Sequence, residues 1–215
     1  MTNYNYLHQI ISEFNNNNFD FIILRKSECL IEKKINDNDD IDILLNLRNR
    51  SNLKNFLKKK KFIHYQDSAM KFIYLYSSIP HDHYFDKKNK IHFDIAYDIS
   101  YKSPNQGEII PIDDNHALDY WSQKIRIDLD KNCYIHCLNK EHLLEHILCH
   151  CIFDKKKINN YYHSQIISLY KQVNKKILTN NLERIFFKFS KRLIELLDKE
   201  ELENIYEKYI TFREY

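Results

Sequence analysis

Glycine is nearly missing from this chain: one residue, Gly107, among 215. That scarcity excludes the glycine-rich phosphate cradles of P-loop and dinucleotide folds, and the nucleophile elbow of the serine hydrolases. Each needs two or more glycines at fixed spacing. A phosphorylated ligand would have to be met by side chains or metal ions. Proline occurs only three times, and the five cysteines (Cys29, Cys133, Cys137, Cys149, Cys151) form an odd set without a CxxC pair. No apolar run approaches about 20 residues, and no N-terminal stretch resembles a signal peptide. A reduced, cytoplasmic protein with no membrane partner is expected.

Charge of one sign is also lacking, since 33 basic residues face 30 acidic ones for a net charge of +3. The joint abundance of Lys, Asn, Ile and Tyr reads as an AT-rich coding sequence rather than a nucleic-acid surface. The run Lys58 to Lys61 reads as a solvated helix end, so nucleic acid is not expected as a partner.

What the chain does have is order of two kinds. Residues 4–14 carry Tyr6, Leu7, Ile10, Ile11 and Phe14 on a helical stripe, which the asparagines at 15–18 end by competing for backbone hydrogen bonds. Strands are expected at 19–24 and 40–46, and a helix at 51–61. In the β-rich stretch from 62 to 138, strands at 72–77 and 92–100 are expected to form a hairpin around 86–89, with shorter strands at 124–127 and 133–138. Pro104 and Pro111 mark an irregular stretch. After Asn139, a good N-cap, the periods are helical: Leu182, Ile185, Phe186, Phe189, Leu193 and Leu196 follow the i, i+3, i+4, i+7 spacing. The expected class is α+β, with an α/β domain over 1–138 and a helical domain over 139–215 packing against it.

The chemistry-bearing segments are Asp40-Ile41-Asp42-Ile43-Leu44-Leu45 and Ile91-His92-Phe93-Asp94-Ile95. Both alternate with period 2, so a pleated strand sends Ile41, Ile43 and Leu45 one way and Asp40 and Asp42 the other. In the second segment Ile91, Phe93 and Ile95 oppose His92 and Asp94. If the two strands are neighbours, Asp40, Asp42 and Asp94 converge. Three carboxylates repel one another unless a cation sits among them, and hard oxygen ligands suit Mg²⁺ or Mn²⁺. Asp98 shares the face of Asp94 but lies roughly 13 Å along the strand, too far for the same site. The competing reading is a pair of amphipathic strands with a wet outer face.

Phe21-Ile22-Ile23-Leu24-Arg25-Lys26-Ser27, a spacer, then Asp40-Ile41-Asp42 and the later Asp94 resemble the signature of the nucleotidyltransferase superfamily, the DNA polymerase beta-like fold. That signature is a hydrophobic strand ending in Gly-Ser, a spacer, Asp-x-Asp, and a third Asp in a later strand. The resemblance covers about residues 19–100 and implies a mixed sheet flanked by helices, followed here by the helical region. It implies an enzyme that transfers a nucleoside monophosphate from a nucleoside triphosphate to the hydroxyl or phosphate of a small acceptor, such as a glycan or sugar-phosphate precursor. Asp40, Asp42 and Asp94 would be catalytic and metal-binding, Ser27 would hydrogen-bond a terminal phosphate, and Arg25 and Lys26 would offset charge on the leaving group. Lys26 departs from the pattern by standing where the glycine would be. That departure carries the alternative: an inactive nucleotidyltransferase fold used as a binding or antitoxin-like module.

Histidine supplies the remaining candidates. His142, His146 and His150 recur every four residues opposite an apolar face, and are expected as a solvated or cleft-facing stripe. A zinc site there would need ligands from a partner surface. His81-Asp82-His83 after Pro80 is expected as exposed loop, and His92 as either a solvated histidine or a contact to acceptor or phosphate.

Overall fold

The computed structural model describes residues 3–34, 40–66, 72–104 and 107–213. The chain divides into two compact units, Met1–Ile99 with Lys124–Leu138, and Ser100–Gln123 with Asn139–Tyr215. The change to helical character after Asn139 coincides with a boundary, but residues 100–123 group with the later helices.

The first unit contains α1 (Asn3–Asn16), β1 (Phe21–Ile23), α2 (Ser27–Ile31), β2 (Asp40–Leu45), α3 (Arg50–Lys59), β3 (Ile63–Gln66), β4 (Ile73–Tyr74), β5 (Asp82–Asp86) and β6 (Ile91–Ala96). It is completed by β9 (Ile125–Asp130) and β10 (Cys133–Cys137). A seven-stranded mixed sheet runs in the order β3-β5-β6-β2-β1-β10-β9. The parallel neighbours are β2 with β6 and β1 with β10. The remaining pairs are antiparallel.

The alternation in β2 and β6 does what a pleat dictates. Ile41, Ile43, Leu45, Ile91, Phe93 and Ile95 join one core cluster with Leu7, Ile10, Ile11 and Phe14 of α1 and Leu53 and Leu57 of α3. Phe14 anchors it, its ring centroid 5.7 Å from those of Phe21, Phe56 and Phe93. The opposite face of β2 and β6 is left to Asp40, Asp42, His92 and Asp94.

Two expectations need correction in this unit. The hairpin turn lies where expected, but the partner of β6 is β5, not the segment at 72–77, which contributes only the two-residue β4. The reason is visible in β5: its core-facing positions are Asp82, Tyr84 and Asp86, all buried, so hydropathy alternation is masked. Asp86 caps the turn, its Oδ1 accepting from Lys88 N and Asn89 N at 3.0 Å. Consequently His81-Asp82-His83 is not exposed loop. Asp82 is buried against Arg50 Nε (3.0 Å), His64 Nε2 (2.8 Å) and the Tyr97 hydroxyl.

The second unit holds the antiparallel pair β7 (Ser100–Lys102) and β8 (Glu108–Pro111), then α4 (Asp114–Ser122) and α5 (Lys140–Cys149). A π-helical turn (His150–Lys155), α6 (Asn160–Tyr170), α7 (Lys175–Phe186), α8 (Phe189–Asp198) and α9 (Ile205–Ile210) follow. Asn139 does cap α5, its side chain accepting from His142 N at 2.8 Å. The continuous period over 182–196 is split between α7 and α8 at Phe187, whose φ of 49° breaks the helix without glycine or proline. The histidine stripe is not solvated. His142 and His146 on α5, and His150 at the start of the π-helical turn, are all buried. His146 Nδ1 lies 2.7 Å from the Tyr101 hydroxyl and His150 Nδ1 lies 3.0 Å from Asp154 Oδ2. Among the described residues no helix is long and apolar enough to cross a membrane.

Candidate functional site

The parallel register of β2 and β6 sets Asp42 opposite Asp94 and Asp40 opposite His92. All four point to the face away from the core. Asp40, Asp42 and Asp94 each place a carboxylate oxygen within 4.8 Å of the other two. A parallel pair of strands brings together residues 52 positions apart in the chain, which neither segment encodes alone.

Strand β1 runs antiparallel to β2, and Leu24 N donates to the Asp42 carbonyl at 2.9 Å. The chain therefore leaves β1 beside the acids. Arg25 Nη2 donates to Asp42 Oδ1 at 2.8 Å, and Lys26 Nζ donates to Asp40 Oδ1 at 3.3 Å. Lys26 has φ 59° and ψ 26°, the left-handed conformation that glycine adopts without a Cβ penalty. Ser27, half-buried, is the first residue of α2. Thus Arg25, Lys26 and Ser27 follow β1 directly, and the first two touch the acids.

Residues outside the expected set complete the site. His81 Nδ1 lies 3.0 Å from Asp94 Oδ1, and His83 Nδ1 lies 3.8 Å from the same oxygen and 3.2 Å from His92 Nε2. Phe85 stacks on His92 at 4.1 Å between centroids. His83 and Phe85 belong to β5 and share the outward face because β5 pairs with β6. The signal that could have located them is the period-2 order of His81, His83 and Phe85, hidden by the charged inward positions. Asp98 lies apart, accepting from Ser78 Oγ and Ile79 N. Asp39 lies outside the described residues.

The electrostatics differ within the cluster. Burial pushes the Asp42 carboxyl above its ordinary value, against the pull of Arg25, and the charges of Asp40 and Asp94 add to the rise. Burial opposes ionisation of Asp94 too, but the hydrogen bond from His81 and the imidazoles of His81, His83 and His92 outweigh it and hold that carboxyl below its usual range. Burial keeps His92 below the ordinary imidazole value. Asp42 Oδ2 is buried with no hydrogen-bond partner among the described residues. A buried, unsatisfied carboxylate oxygen is costly, and a hard divalent cation satisfies it. The donor set, oxygens from three carboxylates, fits Mg²⁺ or Mn²⁺.

No family model and no curated protein matches this chain.

Proposed function

We propose that the β2–β6 face is the centre of a divalent-cation-dependent nucleotidyltransferase, which moves a nucleoside monophosphate from a nucleoside triphosphate to the hydroxyl or phosphate of a small acceptor. A glycan or sugar-phosphate precursor falls in that acceptor class. The observation that carries this reading is the meeting of Asp40, Asp42 and Asp94 within 4.8 Å of one another, with Asp42 Oδ2 buried and unsatisfied. The left-handed backbone at Lys26 supports it further, since this is the position the superfamily signature gives to glycine.

Asp40, Asp42 and Asp94 would hold the cation. Bound there, Mg²⁺ or Mn²⁺ neutralises phosphate charge and polarises the reacting oxygens. The chain's own groups do the rest. Arg25 and Lys26, which now pair with Asp42 and Asp40, turn to the β- and γ-phosphates and stabilise the charge that develops on pyrophosphate as it leaves. Ser27 offers its hydroxyl to a terminal phosphate. The acceptor oxygen attacks the α-phosphorus in line as the bond to the bridging oxygen of pyrophosphate breaks, and pyrophosphate departs with the electron pair. The acceptor proton passes to Asp94, whose carboxylate His81 orients by a hydrogen bond.

One observation favours the second reading, an inactive fold that serves as a binding module. Arg25 and Lys26 neutralise two of the three carboxylates with protein cations, so the cluster does not depend on metal for charge balance. Thermal shift with the four triphosphates and Mg²⁺ or Mn²⁺ decides between the two. An active site at 100 times its dissociation constant gains about 2.7 kcal/mol of stability, and Asp42→Asn removes that gain. Wild-type protein that shows no triphosphate-dependent shift at millimolar metal sends the assignment to the binding module.

A further inference from the structure

The second unit contains a separate buried cluster. His116 on α4 and His142 and Glu145 on α5 each place a possible ligand atom within 4.8 Å of the other two. None is more than 1% exposed. The spacing of His142 and Glu145, three residues on one helix, puts both on one face. His116 arrives from 26 residues upstream.

The protonation states follow from the donors. Arg184 Nη1 lies 3.0 Å from His116 Nδ1, and a guanidinium can only donate, so Nδ1 is an acceptor and carries no proton. The ring is therefore neutral, with its proton on Nε2, which donates to Glu145 Oε1 at 2.8 Å. The Tyr120 hydroxyl donates to the same oxygen at 2.5 Å. Burial keeps His142 below the ordinary imidazole value. Glu145 is thus a fully buried carboxyl whose donors are all uncharged. Its Oε2 and the His142 Nδ1 are buried without any hydrogen-bond partner among the described residues. A buried carboxylate left so is destabilising, as are unpaired polar atoms. With its proton on Nε2, His142 presents Nδ1 as an acceptor, and a cation would satisfy both that atom and Glu145 Oε2.

We infer that His116, His142 and Glu145 form a buried binding site for zinc(II) or a similar borderline divalent metal. Two imidazoles and one carboxylate are a ligand set zinc accepts, with water in the fourth position. Bonds of about 2.0 Å to a tetrahedral ion set ligand atoms about 3.3 Å apart. The possible ligand atoms of His116, His142 and Glu145 all lie within 4.8 Å of one another, a range that includes that spacing. Binding at Nε2 would shift the His116 proton to Nδ1; Arg184 would then give up its contact to Nδ1, and Asp119 Oδ2, now 3.8 Å from Nδ1, would close in to accept the proton. Arg184 keeps its pairing to Asp119 at 2.7 Å. Tyr120 stays on Oε1 and orients the carboxylate, so Oε2 is the ligand; such outer partners are what metal-bound His and Glu require. The ion would staple segment 100–123 to the helices after Asn139, within one unit whose two pieces are separated in the chain by β9 and β10.

The site shares no residue with the acidic face, so the two assignments fail separately. Protein purified from zinc-supplemented culture is expected to hold one zinc per chain by elemental analysis. Cobalt(II) exchanged into it should give the visible absorption of a low-symmetry tetrahedral centre. His142→Asn and Glu145→Gln should abolish both signals, with circular dichroism as the check on folding, whereas Asp42→Asn and Asp94→Asn should retain them. Stripping the metal from folded wild-type protein should lower its melting temperature, and zinc should restore it. Wild-type protein that carries no zinc, gives no cobalt spectrum and melts unchanged when zinc is added overturns the inference. So does bound zinc that survives His142→Asn and Glu145→Gln but is lost in Asp42→Asn.

Discussion

Lys26 shows at the scale of one residue how a chain almost without glycine solves a glycine problem. Its φ of 59° lies where an L-residue loses about 1–2 kcal/mol to contact between Cβ and backbone. The same device recurs at Asn18 (φ 54°) and Lys156 (φ 56°), positions past helix C-terminal ends where glycine is the usual choice. Replacing Lys26 by Gly relieves the backbone but loosens the unfolded chain and removes a partly exposed ion pair to Asp40 worth about 0–1 kcal/mol. The expected net change in urea unfolding is less than about 1 kcal/mol. Lys26→Val, branched at Cβ, should cost about 1–2 kcal/mol more than Lys26→Gly. Equal stabilities for the two variants would contradict a left-handed position 26.

The strand β5 carries its argument at the scale of an element. Its inward Asp82 is 1% exposed and is held by Arg50, His64 and Tyr97, while the Arg50 guanidinium also lies over the Tyr97 ring at 4.4 Å. Removing one member of a fully buried pair costs about 3–5 kcal/mol. Arg50 and His64 remain about a third exposed and can be rehydrated, so Asp82→Asn is expected to cost about 2–3 kcal/mol. The pH dependence has a definite sign. Burial opposes the Asp82 charge, but hydrogen bonds from Tyr97, Arg50 and His64 outweigh it and hold the folded carboxyl below its ordinary value. That contribution is complete above about pH 4, the unfolded carboxyl value, and is lost as pH falls through the folded one. Melting temperatures of Asp82→Asn followed from pH 6 to pH 2 should therefore fall less steeply than those of wild type. Only part of this element was legible in the sequence: Pro80 and the turn at Asp86 were visible. The strand itself was not, because a buried charge satisfied by three distant side chains looks like a loop residue when read alone.

The scale of the whole molecule is set by how the chain is shared between its two units. Segment 100–123 supplies Tyr101, His116 and Tyr120, which partner His146, Glu145 and His142 from the later helices. A fragment of residues 139–215 lacks them and exposes or orphans groups that are fully buried in the intact unit. It is expected to lose the cooperative thermal transition and near-ultraviolet circular dichroism while keeping helical far-ultraviolet signal. A chain that joins residues 100–123 to 139–215 by a short linker should recover cooperativity. A sharp transition in the 139–215 fragment alone would count against the grouping of 100–123 with these helices.

Local pattern alone determined α1, β2, α3, β6, β10 and the cap at Asn139. Periodicity and capping are properties of neighbouring residues and need no partner to be read. The same alternation chose which face of β2 and β6 would be acidic, and hence the identities of Asp40, Asp42 and Asp94. Tertiary structure decided everything that depends on who sits opposite: the parallel register that sets Asp42 against Asp94, and the recruitment of His81 and His83 through β5. It also decided the break at Phe187 and the burial of all three helical histidines. Pairing across a sheet and packing between helices are long-range interactions, and their energies belong to pairs of residues that no window of sequence contains together.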